Sequence, residues 1–236
     1  MRGYTRHQLK QDQFTATAKE TVSWAVEHRD KLMYGGGAIV VVAALALGTW
    51  IYWQQQDESA GVALGHAMTT SQAPLRSAGQ PPEAGTTSFA TASERAKAAR
   101  DEFAKIADNY PHTHSAEMAR YFMGLMDSES GNNAAAETEL KQAASSRRQD
   151  LAALAKMALA QVYRSTGREA QAVSLYQELM AHPTNTVGKS VAQLALASLY
   201  EAKAPQDARK IYMDVQKDDP RGAAGEIANT RLATLK

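Results

Sequence analysis

The sequence contains no cysteine. Disulfides, thiolate nucleophiles, cysteine-ligated zinc and a lipid-modified cysteine are therefore excluded. It also lacks a surplus of charge: 26 Lys and Arg face 25 Asp and Glu, a net +1 over 236 residues. Six basic and four acidic side chains fall in residues 1–34, which leaves 20 and 21 for residues 54–236. A chain so nearly neutral has no basic face for nucleic acid, and no nucleic-acid partner is expected. No alternating stretch of strand length occurs, which argues against a sheet. Gly-x-Ser-x-Gly, His-Glu-x-x-His and P-loop motifs are absent, and Gly35-Gly36-Gly37 follows no strand that would make it a phosphate cradle. His112 and His114 are candidate metal ligands, but they follow Pro111 in a turn, with Glu117 the one carboxylate at helical spacing. No catalytic residue, cofactor or metal site is assigned, and no enzyme activity is expected.

Charge is missing altogether from Gly35 to Trp53, a run of 19 residues. At 1.5 Å per residue such a helix crosses most of a hydrocarbon core roughly 30 Å thick. Only a helix satisfies its backbone within one segment there. Tyr34 at one end and Trp50, Tyr52 and Trp53 at the other are amphipathic rings suited to the headgroup layers. Lys19, Arg29 and Lys31 flank the N-terminal side, whereas residues 54–73 hold no Lys or Arg. The expectation is a single span with the N-terminus in the cytoplasm and residues 54–236 outside. A cleaved signal peptide competes, with Ser59-Ala60-Gly61 as its site, but it needs an n-region of about 34 residues.

Before the span, Phe14, Ala18, Val22, Ala25 and Val26 recur at helical spacing and predict a moderately amphipathic helix over 11–31, within a cytosolic segment 1–34. Beyond the span (35–53) nothing breaks the helix, so an exit helix is expected over 54–70. Residues 71–91 are rich in Pro, Gly and small polar side chains and predict a flexible linker or long loop.

From Ala92 to Lys236 the pattern is helical almost throughout, and it repeats. Ala99, Phe103, Ile106 and Pro111 form a block that recurs as Ala136, Leu140, Ala143 and Arg148, then as Ala172, Tyr176, Leu179 and Pro183, then as Ala208, Tyr212, Val215 and Pro220. Upstream of these lie Met123-Gly124, Leu159-Ala160 and Leu196-Ala197, with Gly131 and Gly167 where a first helix must turn into a second. Small residues let paired helices approach, bulky ones fill the gaps, and prolines separate units. An interrupted first unit is expected, with Leu64-Gly65 and Met68 in its first helix and 71–91 inserted before Ala99. GAAGEIANTRLATLK predicts a capping helix with Ile227, Leu232 and Leu235 facing the last repeat.

This pattern resembles the tetratricopeptide repeat, and it implies an all-α fold: an N-terminal transmembrane helix followed by an α-solenoid over 92–236. The whole order of elements is similar to single-pass, N-inside membrane proteins with a tetratricopeptide-like outer domain, typified by the ancillary subunit of the bacterial Sec translocon. The resemblance implies a protein-interaction scaffold at the bacterial cytoplasmic membrane. Its implied partners are translocon subunits and extracytoplasmic folding factors or unfolded segments. A scaffold for envelope assembly or division, and a fixed structural subunit of a large membrane complex, are the alternatives.

In repeats of this kind the inner face comes from first-helix positions flanking the small residue. Carried onto this sequence they are Met118, Tyr121, Leu125 and Glu129, then Leu154, Met157, Gln161 and Arg164, then Val191, Leu194, Ser198 and Glu201. The upper rows are mostly apolar, and methionine adapts to varied apolar ligands. The stripe is either a groove for an apolar or amphipathic polypeptide, or a face covered by the exit helix, the capping helix or a second copy in a homodimer.

Overall fold

The computed structural model describes residues 29–77, 85 and 87–235. Most of the amphipathic helix expected over 11–31 lies outside the described residues, as do 78–84 and 86 of the Pro/Gly-rich stretch. The described residues form nine helices and no strand: α1 (Arg29–Ser71), α2 (Ala92–Asn109), α3 (His114–Glu129), α4 (Asn133–Ala144), α5 (Gln149–Ser165), α6 (Glu169–Ala181), α7 (Lys189–Tyr200), α8 (Pro205–Asp218) and α9 (Ala223–Thr234). The fold is all-α and solenoidal, with a long apolar helix at its N-terminal side. The chain divides into two compact units, Met1–Gln55 and Gln56–Lys236.

In the first unit, every residue from Ala38 to Trp53 is exposed. Ile39, Val40, Leu45, Trp50 and Tyr52 each keep more than half of their surface open. A helix apolar on all sides has no face to give to water. The hydroxyl of Thr49 donates to the Leu45 carbonyl at 2.7 Å, so the helix satisfies that donor internally.

The second unit is built from helical hairpins. α3 pairs with α4, α5 with α6 and α7 with α8, and each pair packs on the next. The second-helix residues of the repeat pattern are its core. Ala99, Ala136, Ala172 and Ala208 are wholly buried, and Phe103, Leu140, Tyr176 and Tyr212 are at most 1% exposed. Burying one such large side chain contributes about 1.5–3 kcal/mol. That exceeds what any surface ion pair between helices supplies.

Two turns follow one backbone recipe. After α3, Asn132 N–H donates to Asp127 O at 2.8 Å and Gly131 N–H to Ser128 O at 3.1 Å. After α5, Arg168 N–H donates to Tyr163 O at 2.8 Å and Gly167 N–H to Arg164 O at 3.2 Å. This bond pair needs a left-handed residue, and Gly131 (φ 79°) and Gly167 (φ 75°) supply it without a Cβ clash. The turn after α7 has no glycine. It closes through Ala204 N–H to Tyr200 O at 2.8 Å, and Pro205 opens α8 with its φ already set.

The approach within a hairpin is tight at Gly124. A Cβ built there would lie 2.5 Å from Leu140 Cγ and 3.3 Å from the Ala136 carbonyl oxygen. In the first hairpin the small position is not Gly65, as the sequence pattern suggests. Gly65 is exposed and a Cβ there meets nothing within 4 Å. Ala67, two residues on, is wholly buried in one cluster with Ala96, Ala99 and Phe103. The pairing is sealed by Glu102, which accepts from Thr70 Oγ1 at 3.2 Å and lies 3.0 Å from His66 Nδ1. The last turns of α1 thus act as the first helix of a hairpin with α2, although residues 72–91 intervene.

That intervening stretch is not wholly loose. Leu75 and Phe89 form an isolated parallel bridge, with Arg76 N–H donating to Phe89 O at 2.8 Å and Phe89 N–H to Pro74 O at 3.2 Å. Ala73 is buried, and Arg95 donates to its carbonyl. Packing of α1 on α2 brings the two ends of the stretch together, and their backbone groups then pair with each other.

The last helix keeps the register of a first helix. Ala119, Ala155, Ala192 and Ala228 are all wholly buried, at successive spacings of 36, 37 and 36 residues. Leu232 and Leu235 pack on the α8 cluster, but Ile227 does not face the last repeat as the sequence suggests; it is 49% exposed.

Gly124→Ala is expected to destabilise the detergent-solubilised protein by about 1–3 kcal/mol, since Leu140 and Ala136 must give way. Gly65→Ala should be neutral or stabilise by up to about 1 kcal/mol, because it meets nothing and lowers unfolded-chain entropy. Denaturant unfolding followed by far-UV circular dichroism distinguishes the two.

Candidate partner-binding groove

The predicted groove positions lie on α3, α5 and α7, save Glu201, which caps the end of α7, and they fall into rows. Met118, Leu154 and Val191 share one helix position, Tyr121, Met157 and Leu194 a second, and Leu125, Gln161 and Ser198 a third. In the fourth row, Arg164 and Glu201 correspond to Ser128, and Glu129 is one residue out of register. One residue turns a side chain by about 100° around the helix. Glu129 is accordingly directed to the preceding hairpin, where Arg95 Nη2 donates to it at 2.9 Å.

Burial grades along the rows. Met118, Tyr121, Leu125, Leu154, Met157, Leu194 and Ser198 are half-buried, Gln161 and Arg164 are exposed, and Val191 is 48% exposed. Tyr121 and Met157 come together, both packing against the cluster of Leu159, Ala160 and Tyr163. The Tyr121 ring meets Phe122 edge-on at 5.3 Å, and Phe122 stacks on the buried Phe103 at 5.1 Å. Burial pushes the Tyr121 hydroxyl pKa up. Glu201 is already engaged: Tyr212 donates to it at 2.6 Å, and Arg231 Nε lies 3.8 Å away. Burial first, then the Glu201 carboxylate, raise the Tyr212 pKa well above the usual tyrosine value.

Between the beginnings of α3 and α5 the surface sinks into a hollow of about 840 Å³. Met118, Leu151, Leu154, His114, Pro183 and Thr184 line it. Its wall is the connection after α6, tied to the start of α5. Asn185 N–H donates to Asp150 Oδ1 at 3.1 Å, and Thr186 Oγ1 donates to the Asp150 carbonyl at 2.8 Å. The sequence pattern places Met118 and Leu154 here but not the loop that walls them. Its one signal is a separation of 35 to 36 residues between the bonded partners, one repeat length.

The rows hold their shape through polar clamps between helices. Glu137 of α4 accepts from Arg168 Nη1 at 2.6 Å, Lys141 Nζ at 2.7 Å and Tyr163 Oη at 3.2 Å. The Arg168 guanidinium also sits 4.5 Å above the Tyr163 ring, a cation–π contact. Hydrogen bonds from Lys141 and then Arg168 lower the Glu137 pKa to about 2. Between α2 and α3, Arg100 Nε donates to both oxygens of the buried Asp127, at 3.1 and 3.2 Å. Periodicity reveals only the Glu137–Lys141 pair, four residues apart on α4; the partners Arg168 and Arg100 lie 31 and 27 residues from their carboxylates.

His112 and His114 are both exposed. Among the described residues no three His, Asp or Glu side chains converge on a point that would hold a metal.

Residues 26–181, about two thirds of the chain, match the family described as a tetratricopeptide repeat-like domain. The match runs from before the apolar segment to the end of α6, and α7 to α9 continue the same register beyond it. No curated protein and no solved structure gives a significant match.

Glu137 has a depressed pKa in the fold, so its stabilisation is present above the unfolded value of about 4.3 and is lost as pH falls toward 2. Stability of the unaltered chain should therefore drop more steeply between these limits than that of Glu137→Gln. At neutral pH, where water screens this partly open cluster, the substitution should cost about 1 kcal/mol or less. Denaturant unfolding at a series of pH values checks both.

Proposed function

The chain belongs to the tetratricopeptide repeat-like domain family, and on that premise we propose that it is a membrane-anchored scaffold that captures polypeptide segments outside the cytoplasmic membrane. Domains of this family mediate protein–protein interactions, and their folds typically serve as scaffolds instead of enzymes. The observation that carries the anchoring is the stretch from Ala38 to Trp53, apolar and exposed on every side. A helix of this kind is stable where lipid replaces water. Lys19, Arg29 and Lys31 on one side and no Lys or Arg in 54–73 on the other favour an N-inside orientation.

The groove supports the capture role. Its three rows on α3, α5 and α7 contain no charged side chain, and Val191 leaves apolar surface open. Similarity in the order of elements to the ancillary subunit of the bacterial Sec translocon makes translocon subunits and folding factors that receive emerging chains the proposed partners. On this reading the protein resides in the bacterial inner membrane with its repeats in the periplasm.

The protein should stay in the membrane pellet through alkaline extraction. Val41→Lys with Leu45→Lys should release it, since each lysine at mid-span costs roughly 2.5–3.5 kcal/mol. Extraction of the unaltered chain into the supernatant would refute the anchor. A photoreactive residue at Val191 in intact cells should give adducts with translocon subunits and with many envelope proteins. One dominant stoichiometric adduct would instead identify a fixed subunit of a larger complex.

A further inference from the structure

A second hollow, of about 520 Å³, lies between α5 and the end of α6, and Gln149, Pro183 and Thr184 border both hollows. None of the groove residues lines it; the ends of the second helices α4 and α6 do. It is a local departure from the repeat. One unit earlier, Glu117 in the first turn of α3 accepts from Ser146 Oγ, just past α4, at 2.9 Å. One unit later, Lys189 Nζ at the start of α7 lies 3.5 Å from Asp218 Oδ2 at the end of α8. The matching positions here are Ala153 and Ala152 on α5 and His182 after α6. Both alanines are too short to cross, so the space stays open.

The groups left open at its edge are acceptors. Pro183 has no N–H to give the Leu179 carbonyl, and the Asn185 N–H that would serve Ala181 goes to Asp150 instead. α4 and α8 carry a lysine in the last turn, Lys141 and Lys217, whereas α6 carries no basic residue there. The negative end of its dipole is therefore unanswered. The start of α5 would favour an anion, but Asp150 already stands in its first turn. Glu178 gives Oε1 to Lys156 at 2.6 Å, and its Oε2 takes no hydrogen bond among the described residues. Glu137 shows how such a carboxylate is completed: Lys141 holds one oxygen and Arg168 the other.

We infer that this hollow receives an arginine of a partner polypeptide, with its stem over Ala152 and Ala153 and its guanidinium between Glu178 Oε2 and the end of α6. The arginine enters where Lys189 lies one unit on, and it completes Glu178 as Arg168 completes Glu137. A planar guanidinium reaches acceptors that lie apart, which a single ammonium does not. The volume falls within the roughly 300–1,000 Å³ of pockets that hold a whole ligand. That exceeds one side chain and leaves room for the backbone that carries it.

The test uses the full chain in lipid nanodiscs with its alanine methyl groups labelled for NMR. It is titrated with acetyl-Ser-Ser-Arg-Ser-Ser-amide, with the same peptide carrying citrulline for arginine, and with arginine amide. The arginine peptide should move the Ala152 and Ala153 methyl signals. The citrulline peptide keeps the shape without the charge and should bind at least about fivefold more weakly. Glu178→Gln should weaken the arginine peptide by about fivefold, and Ala152→Lys, which installs the residue of the next unit, should abolish its binding. Circular dichroism verifies that both variants fold. The Glu178 side chain is 47% exposed, so Glu178→Gln decides the matter should Ala152→Lys fail to fold. Unmoved methyl signals, equal affinity for the citrulline peptide, or unchanged affinity in Glu178→Gln each overturn the proposal. Arginine amide binding as tightly as the peptide would show a small-molecule site and overturn the polypeptide occupant.

Discussion

The structure depends on how closely the two helices of a hairpin can approach. At Gly124 there is no room for even one methyl group against Leu140. Ala160 and Ala197 occupy the same register and are wholly buried. Dispersion falls steeply with distance, so a hairpin held apart loses most of the contacts that stabilise it. Close approach in turn sets where Phe103, Leu140, Tyr176 and Tyr212 lie, and these large side chains fill the space behind each pair. The spacing of 36 to 37 residues is therefore a packing constraint, and rows of exposed side chains follow from it as a consequence.

The polar clamps act on this frame. Asp127 with Arg100 and Glu137 with Arg168 each link one hairpin to its neighbour, Lys141 holds Glu137 from within α4, and Glu201 with Tyr212 ties the end of α7 to α8 inside one hairpin. Glu137 stays partly open to water and is oriented by three donors, whereas the buried Asp127 is held by Arg100 alone.

The long apolar helix follows a different physical rule. In the solenoid, apolar side chains are hidden by neighbouring helices; among the described residues, those from Ala38 to Trp53 are exposed. Backbone groups are satisfied within the helix, which leaves the solvation of those side chains as the demand the helix itself does not meet.

Much of this was legible in the residues alone. The uncharged run, the alanines of the second helices, the two turn glycines and the breaking prolines each act locally, so a one-dimensional pattern displays them. The errors came where position depends on a neighbour. Gly65 has the right residue type for a tight contact, but the helix turns it to solvent and buries Ala67. Glu129 sits one residue from the groove row and is drawn to Arg95. Of the three residues expected to face the last repeat, Leu232 and Leu235 pack on it, whereas Ile227 is turned to the surface. The sequence by itself determined which elements form, because periodicity, caps and breakers act within a few residues. Only the tertiary structure decided which face of each helix is covered, which loop walls the hollow and which carboxylates are clamped, because those depend on contacts between residues a full repeat apart.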